Sequence, residues 1–404
     1  MTLRASLYVH APFCRGKCRY CAFYSAPTGP AGPTAAQLSR YLRALEAEMD
    51  RQAAAYGRVA APTLFFGGGT PSLLGAEGLA RIMAGLRQRF NLAPDAEITL
   101  EANPDSATPE LLRAARRLGV NRLSLGVQSL DDADLQALGR VHNARQAREA
   151  YAAARACGFD NIGLDLIFGL PGQSVAGWLA VLRLAVDLEP EHLSCYGLTV
   201  EPGTPLAADE SALAALPDDD RQAEMFLRGS ELLQAAGYAH YEISNFARSS
   251  GGQDRRCRHN LACWRGEDVL GFGPAAVSTM PAPPGGANAA GAPPGAALRW
   301  ANAADLETWA ALALGETGSA APAQCEVLTP DIRAREALML ALRTAEGLDL
   351  EAFARSTGQD LRLLHADLLQ QLAAAGLVER PAGRLRLTLA GMLVSNSVIR
   401  ALGF

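Results

Sequence analysis

The 404-residue chain predicts an α/β fold. A parallel sheet wound by helices is expected over residues 1–237, a connecting region over 238–328, and a helical, winged-helix-like domain over 329–404. Three observations lead there. Apolar strand-like runs alternate with helical segments six times in the first half. The residues suited to chemistry fall at or just beyond the carboxyl ends of those runs. The tail strings helices together and closes on a short ribbon. Periodicity alone leaves open whether the six βα units form a doubly wound sheet or curl into a partial barrel.

Taken in order, the strands are read at 7–13, 63–66, 98–101, 122–128, 162–168 and 192–198. Helices are read at 35–56, 78–90, 109–118, 144–157, 175–188 and 218–236, where leucines and alanines recur at helical spacing. Several of these stop at glycine, as in Leu118-Gly119, Cys157-Gly158 and Ala236-Gly237. Residues 238–246 read as one further strand and 247–254 as irregular chain. Residues 281–297 (PAPPGGANAAGAPPGAA) are low-complexity and suit a surface loop. Helices are expected at 332–343, 350–357 and 361–375, then a ribbon of 377–379 and 385–389. Helices before a ribbon invite a DNA-binding reading, but 361–375 carries only Arg362 as a fixed positive charge. Packing or partner binding fits that helix better.

Composition narrows the class. The chain carries 49% hydrophobic and 20% charged residues, as soluble proteins do. A net charge of −5 argues against a general nucleic-acid binder. No run of eighteen apolar residues predicts a membrane span, and the first residues lack the apolar core of a secretory leader. Eight cysteines are too sparse for a disulfide scaffold, so a reducing cytoplasm is the expected location.

The densest chemistry is Cys14-Arg-Gly-Lys-Cys18-Arg-Tyr-Cys21, directly after the first strand. Three thiols are too few to close a structural zinc site, which takes four ligands. They suit an iron–sulfur cluster with one iron left open to an outside ligand. The alternatives are three unrelated core thiols, or zinc completed by a distant ligand such as His10. Arg15, Lys17 and Arg19 surround the thiols, an unusual setting for core cysteines. These cations suit either an acidic electron donor such as a flavodoxin or simple neutralisation of a cluster's charge. Gly67-Gly68-Gly69-Thr70 after the second strand lets backbone approach a ligand, or merely turns the chain. Glu101, Gln128, Arg140 and Asp165 stand at or beyond strand ends, where a solvated rim is the plainer reading.

The strings HAPFCxxxCxYCxF, FFGGGTPS, LEANP, NRLSLGVQS, LGRVH and DLIFGLPGQ share order and spacing with one family. Within the radical S-adenosylmethionine (SAM) superfamily, they resemble the oxygen-independent coproporphyrinogen III oxidases and their haem-chaperone branch. The resemblance implies a partial (β/α)6 barrel, with a 4Fe–4S cluster on Cys14, Cys18 and Cys21. It implies SAM contacts at Tyr8, Gly68, Glu101, Gln128, Arg140 and Asp165. A second SAM in the oxidases would map near Tyr20, Gly69 and Thr70.

The two branches differ at readable positions. The oxidases carry a fourth cysteine two residues after the third, where this chain has Phe23. The chaperones carry HNxxYW after the barrel, matched here by His259-Asn260-Leu261-Ala262-Cys263-Trp264 with cysteine in place of tyrosine. Relatives often place histidine where Val277 stands. The resemblance thus implies haem as ligand, with His259 and Cys263 as contacts, and haem-accepting proteins, such as respiratory ones, as partners. Read without it, Cys257, His259 and Cys263 form a structural loop or a weak metal site. The other function implied is SAM-dependent oxidative decarboxylation of coproporphyrinogen III; a third is radical SAM chemistry on another substrate. Cys157, Cys195 and Cys325 read as core thiols.

Overall fold

The computed structural model describes residues 3–250, 252–283, 296–317 and 324–403. Six strands carry the first half: β1 (Ser6–Ala11), β2 (Ala60–Gly68), β3 (Asn91–Ala102), β4 (Arg122–Gln128), β5 (Ile162–Phe168) and β6 (His192–Gly197). They pair in chain order, each parallel to the next. Helices Ala35–Tyr56, Gly75–Arg89, Pro109–Arg117, Ala144–Ala156 and Val175–Asp187 make the crossovers, and Asp219–Ala235 follows β6. Their starts are written in side chains. Thr34 and Asn143 close capping boxes, and Thr108, Ser174 and Asp218 accept from backbone N–H groups one turn on. The fold is the partial (β/α)6 barrel.

Alternation along the strands builds the two faces. Leu7, Val9, Leu64, Phe66, Leu100, Leu123, Leu125, Leu164 and Leu166 are fully or almost fully buried against the helices in one continuous core. The intervening residues, among them Tyr8, His10, Glu101, Ser124 and Asp165, face inward. The carboxyl ends of all six strands therefore open at one mouth.

The sheet continues beyond residue 237. Residues expected as one strand form a hairpin, β7 (Tyr238–Glu242) and β8 (Asn245–Ser250), laid antiparallel on β6. The buried Glu242 carboxylate makes that turn by accepting from the Ser244 N–H and from Asn245, a local bond that periodicity does not reveal. The stretch expected to be irregular belongs partly to β8, which pairs at its end with Gln253–Asp254. On the opposite edge, β9 (Val269–Phe272) adds a parallel strand beside β1. Val277–Pro281, Ala297–Ala301 and Gln324–Leu328 then extend that edge antiparallel. Residues 284–295 of the low-complexity stretch lie outside the described residues, while its ends pair, Pro281 with Ala297.

The tail has its own core around Leu338, Leu342, Leu369 and Leu385. Strand order there is Leu348–Asp349, Arg384–Leu387, Val378–Glu379, all antiparallel, as in a winged helix. The helix expected over 361–375 is broken. His365 (φ −128°, ψ 31°) separates Leu361–Leu364 from Ala366–Ala374, with no glycine or proline to announce it. Among the described residues no helix is long and apolar enough to cross a membrane.

Candidate functional site

The cysteine loop is tied down at both ends. Phe13 and Cys14 pair with Ala26 and Pro27, and the Cys14 carbonyl accepts from the Thr28 N–H at 2.8 Å. Between them, Tyr20 packs on Leu138, Ile167 and Leu170 beneath the loop. Cys14, Cys18 and Cys21 are partly buried free thiols. Burial raises the pKa of Cys14 and Cys21, and neighbouring thiols add to the rise, so the three sense one another's charge. Among the described residues no three His, Cys, Asp or Glu side chains converge closely enough for a single ion. A four-iron cube asks for something different, since each thiolate holds a separate corner. Arg140 donates to Cys18 Sγ at 3.2 Å and Thr70 Oγ1 lies 3.4 Å from Cys14 Sγ, both suited to anionic sulfur. The donor set fits a cluster with one open corner.

Above it the glycines form a cradle. The Gly69 N–H donates to the Ala11 carbonyl at 2.7 Å, and a Cβ on Gly69 would stand 2.7 Å from the Phe13 carbonyl. Gly68 has φ +107°, and a Cβ there would stand 2.8 Å from the His10 ring. Only glycine lets this backbone pass so close to the end of β1 and the start of the cysteine loop.

Two carboxylates look into the same space. Burial, and then the nearby Asp165, raise Glu101 to about 8, against the opposing pull of Arg122 and the Gly68 backbone. Burial raises Asp165 too, although the Ser194 and Ser124 hydroxyls and Arg122 work against it. Ser124 Oγ reaches both Asp165 oxygens at 3.2 Å. Tyr8 lies beside Glu101, and its hydroxyl is 3.2 Å from His10 Nδ1. Arg140 bonds Asn103 Oδ1 and the Gly126 carbonyl, each at 2.8 Å, yet its buried Nε has no partner. Gln128 ends β4 at φ +67°, beside Gly126. Two buried, raised carboxyls and the one unpaired nitrogen of Arg140 suit a ligand carrying both an ammonium and a carboxylate. Tyr8, Gly68, Glu101, Gln128, Arg140 and Asp165 thus share one mouth with Tyr20, Gly69 and Thr70. Asn103, a strand-end residue inside LEANP, and Ser124 and Ser194, which no sequence signal marks, join the others by hydrogen bonds.

The histidine motif does not stay together. It forms the short helix Arg258–Trp264, whose first N–H groups, of Arg258 and His259, donate to the Glu97 carboxylate at 3.1 Å. Neighbouring helical residues point about 100° apart, whereas i, i+3 and i+4 share a face. His259 and Cys263, four apart, therefore lie on adjoining positions of the helix, yet His259 is buried in the core and Cys263 is exposed. His259 is 6% exposed, with Nδ1 2.9 Å from Thr63 Oγ1 and its ring stacked 5.0 Å from Phe65. Burial and Arg122 lower it to about 4, so it is neutral. His259 thus sits in the core beside Thr63 and Phe65, whereas Cys263 lies at the surface. Cys263 is exposed; with Asn260 and Trp264 it lines an open cavity of about 410 Å³, shared with Tyr196, Glu242 and Asn245. Asn245 there is 3% exposed and its Oδ1 has no partner. Val277 is exposed.

The basic loop is also less basic than its sequence. Arg15 pairs with Asp105 at 2.8 Å and Arg19 with Asp209. Lys17 alone of the three makes no ion pair among the described residues, and its Nζ reaches only the Phe23 carbonyl. Phe23 is 73% exposed.

Residues 8–185 match the radical SAM superfamily, and residues 328–394 match the HemN C-terminal domain. The chain is 36% identical to the haem chaperone HemW of Mycobacterium tuberculosis, covering 98% of this chain and 94% of that protein. It is 34% identical to HemW of Bacillus subtilis over 98% of both chains. With HemW of Escherichia coli it is 41% identical, over 69% of this chain and 71% of that one. Among solved structures it superposes on coproporphyrinogen III oxidase (HemN) from Escherichia coli, described as a radical SAM enzyme. The TM-score is 0.81 at 25% identity, covering 99% of this chain and 90% of the other.

Proposed function

Because the chain belongs to the HemW family of radical SAM proteins, we propose that it is a haem chaperone, binding haem and passing it to haem-requiring proteins. The observation that carries the proposal is the open, aromatic-walled cavity bearing Cys263 on the family's motif helix. Haem is flat, apolar and edged with carboxylates. Tyr196 and Trp264 supply walls, Asn245 and Asn260 supply amide groups, and Cys263 supplies a sulfur able to act as an axial ligand.

The same proposal assigns a 4Fe–4S cluster to Cys14, Cys18 and Cys21 and SAM to the cradle above them. When bound, the cluster supplies a single electron to the SAM sulfonium. The chain's own residues bind and orient. Glu101 and Asp165 receive the ammonium that their crowded charge calls for, Arg140 Nε meets the carboxylate, and the Gly68–Gly69 backbone fixes the methionine end. The surrounding strands keep water from the reacting atoms.

The structural likeness to HemN supports a second reading, oxidative decarboxylation of coproporphyrinogen III. Phe23, in place of the fourth cysteine expected of oxidases, argues against it. Anaerobically reconstituted protein, assayed in parallel for haem binding and for coproporphyrinogen turnover with SAM, decides between them. Saturable haem binding without turnover supports the chaperone; stoichiometric turnover moves the assignment to the oxidase.

A further inference from the structure

We infer that Asn103 is a positioning residue that holds the hydrogen-bond donors on two of the three cluster thiolates and thereby sets the ease with which the cluster is reduced. The inference rests on the cluster assignment above. Asn103 Oδ1 lies 2.8 Å from an Arg140 nitrogen, and Asn103 Nδ2 lies 3.1 Å from Thr70 Oγ1. A guanidinium has no acceptor, so the carbonyl end of the amide must face Arg140 and the NH2 must face Thr70. Thr70 Oγ1, already accepting from that NH2, keeps its own hydrogen for Cys14 Sγ, 3.4 Å away. On the other side the anchored guanidinium donates to Cys18 Sγ at 3.2 Å. One amide thus orients a donor on Cys14 and another on Cys18. Gly126 leaves room for it, since a Cβ there would stand 2.9 Å from Asn103 Oδ1.

Hydrogen bonds to cluster sulfurs favour the reduced, more negative state. Removing the amide should therefore make reduction harder. The test uses anaerobically reconstituted parent, Asn103→Leu, Thr70→Val, Thr70→Ser and the Asn103→Leu/Thr70→Val pair. Iron and sulfide content is measured first, then EPR spectra and the reduced fraction at fixed redox poise. Asn103→Leu and Thr70→Val should keep their iron, shift the EPR g-values and lower the equilibrium constant for reduction, by about tenfold for Asn103→Leu. Thr70→Ser should restore the parent's behaviour. The pair should shift by less than the two single changes combined, because Asn103 acts partly through Thr70. Parental spectra and reduction in Asn103→Leu, or shifts that simply add, would overturn the inference while leaving the cluster assignment intact. If Asn103→Leu takes up no iron, equal behaviour of Thr70→Val and Thr70→Ser overturns it. A parent that takes up no iron overturns the cluster assignment itself.

Discussion

Replacing Glu101 by Gln tests the site through stability, before any chemistry. Its folded pKa of about 8 lies above the ordinary 4.5. A carboxyl raised in this way leaves stability whole below the unfolded pKa and withdraws it as pH climbs through the folded one. The difference of 3.5 (8 minus 4.5), at about 1.4 kcal/mol for each unit of pH, sets an upper bound of about 5 kcal/mol. Most of that loss falls between pH 5 and pH 9. Glutamine keeps the size and removes the charge, which also relieves Asp165. Cofactor-free Glu101→Gln should therefore match the parent within about 1 kcal/mol at pH 5 and exceed it by about 2–4 kcal/mol at pH 9. Anaerobic denaturation followed by circular dichroism, thermal and urea, reads this as a midpoint several degrees higher at pH 9 only. SAM at one hundred times its dissociation constant should raise the parent by about 2.7 kcal/mol and leave the variant nearly unmoved. A variant no more stable than the parent at pH 9 would show that Glu101 is not raised by its burial, and one stabilised equally by SAM would show that it is not part of the SAM site.

Other outcomes follow from the same geometry. Replacing any one of Cys14, Cys18 or Cys21 by Ala should leave little reconstituted iron and abolish the SAM-sensitive EPR signal; a full cluster in the triple variant would contradict the ligand set. Lys17→Glu should slow reduction by an acidic donor such as flavodoxin by about two- to fivefold at low salt, since its two cationic neighbours are already paired. Dithionite reduction should stay unchanged, and equal slowing with both reductants would argue against docking. His259→Ala should cost about 2–4 kcal/mol, because it empties a stacked core position and strands the Thr63 hydroxyl. It should leave the haem spectrum alone, and a shifted Soret band would return His259 to the ligand sphere.

Much of this architecture was legible because local chemistry and global fold agree. Helix starts at Thr34, Asn143 and Ser174 carry their own caps, and the glycine stops fall where the helices end. The cysteine spacing and the strand-end residues needed only a parallel sheet to bring them together. What stayed hidden depended on orientation or on distant pairing. The Glu242 turn, the strand Val269–Phe272 beside β1 and the break at His365 leave no period in the sequence. Arg15 and Arg19 looked free because Asp105 and Asp209 are far along the chain. Nor does the string His259 to Trp264 show that His259 is buried against Thr63 and Phe65 while Cys263, one turn on, is exposed.

Haem binding at Cys263 is open to direct measurement by anaerobic haem titration of the reconstituted protein beside its Cys263→Ala variant, followed at the Soret band. Saturation at one haem per chain, with a Soret position that moves in Cys263→Ala, is the predicted result. Haem uptake that never saturates, with superimposable spectra for parent and variant, would contradict it.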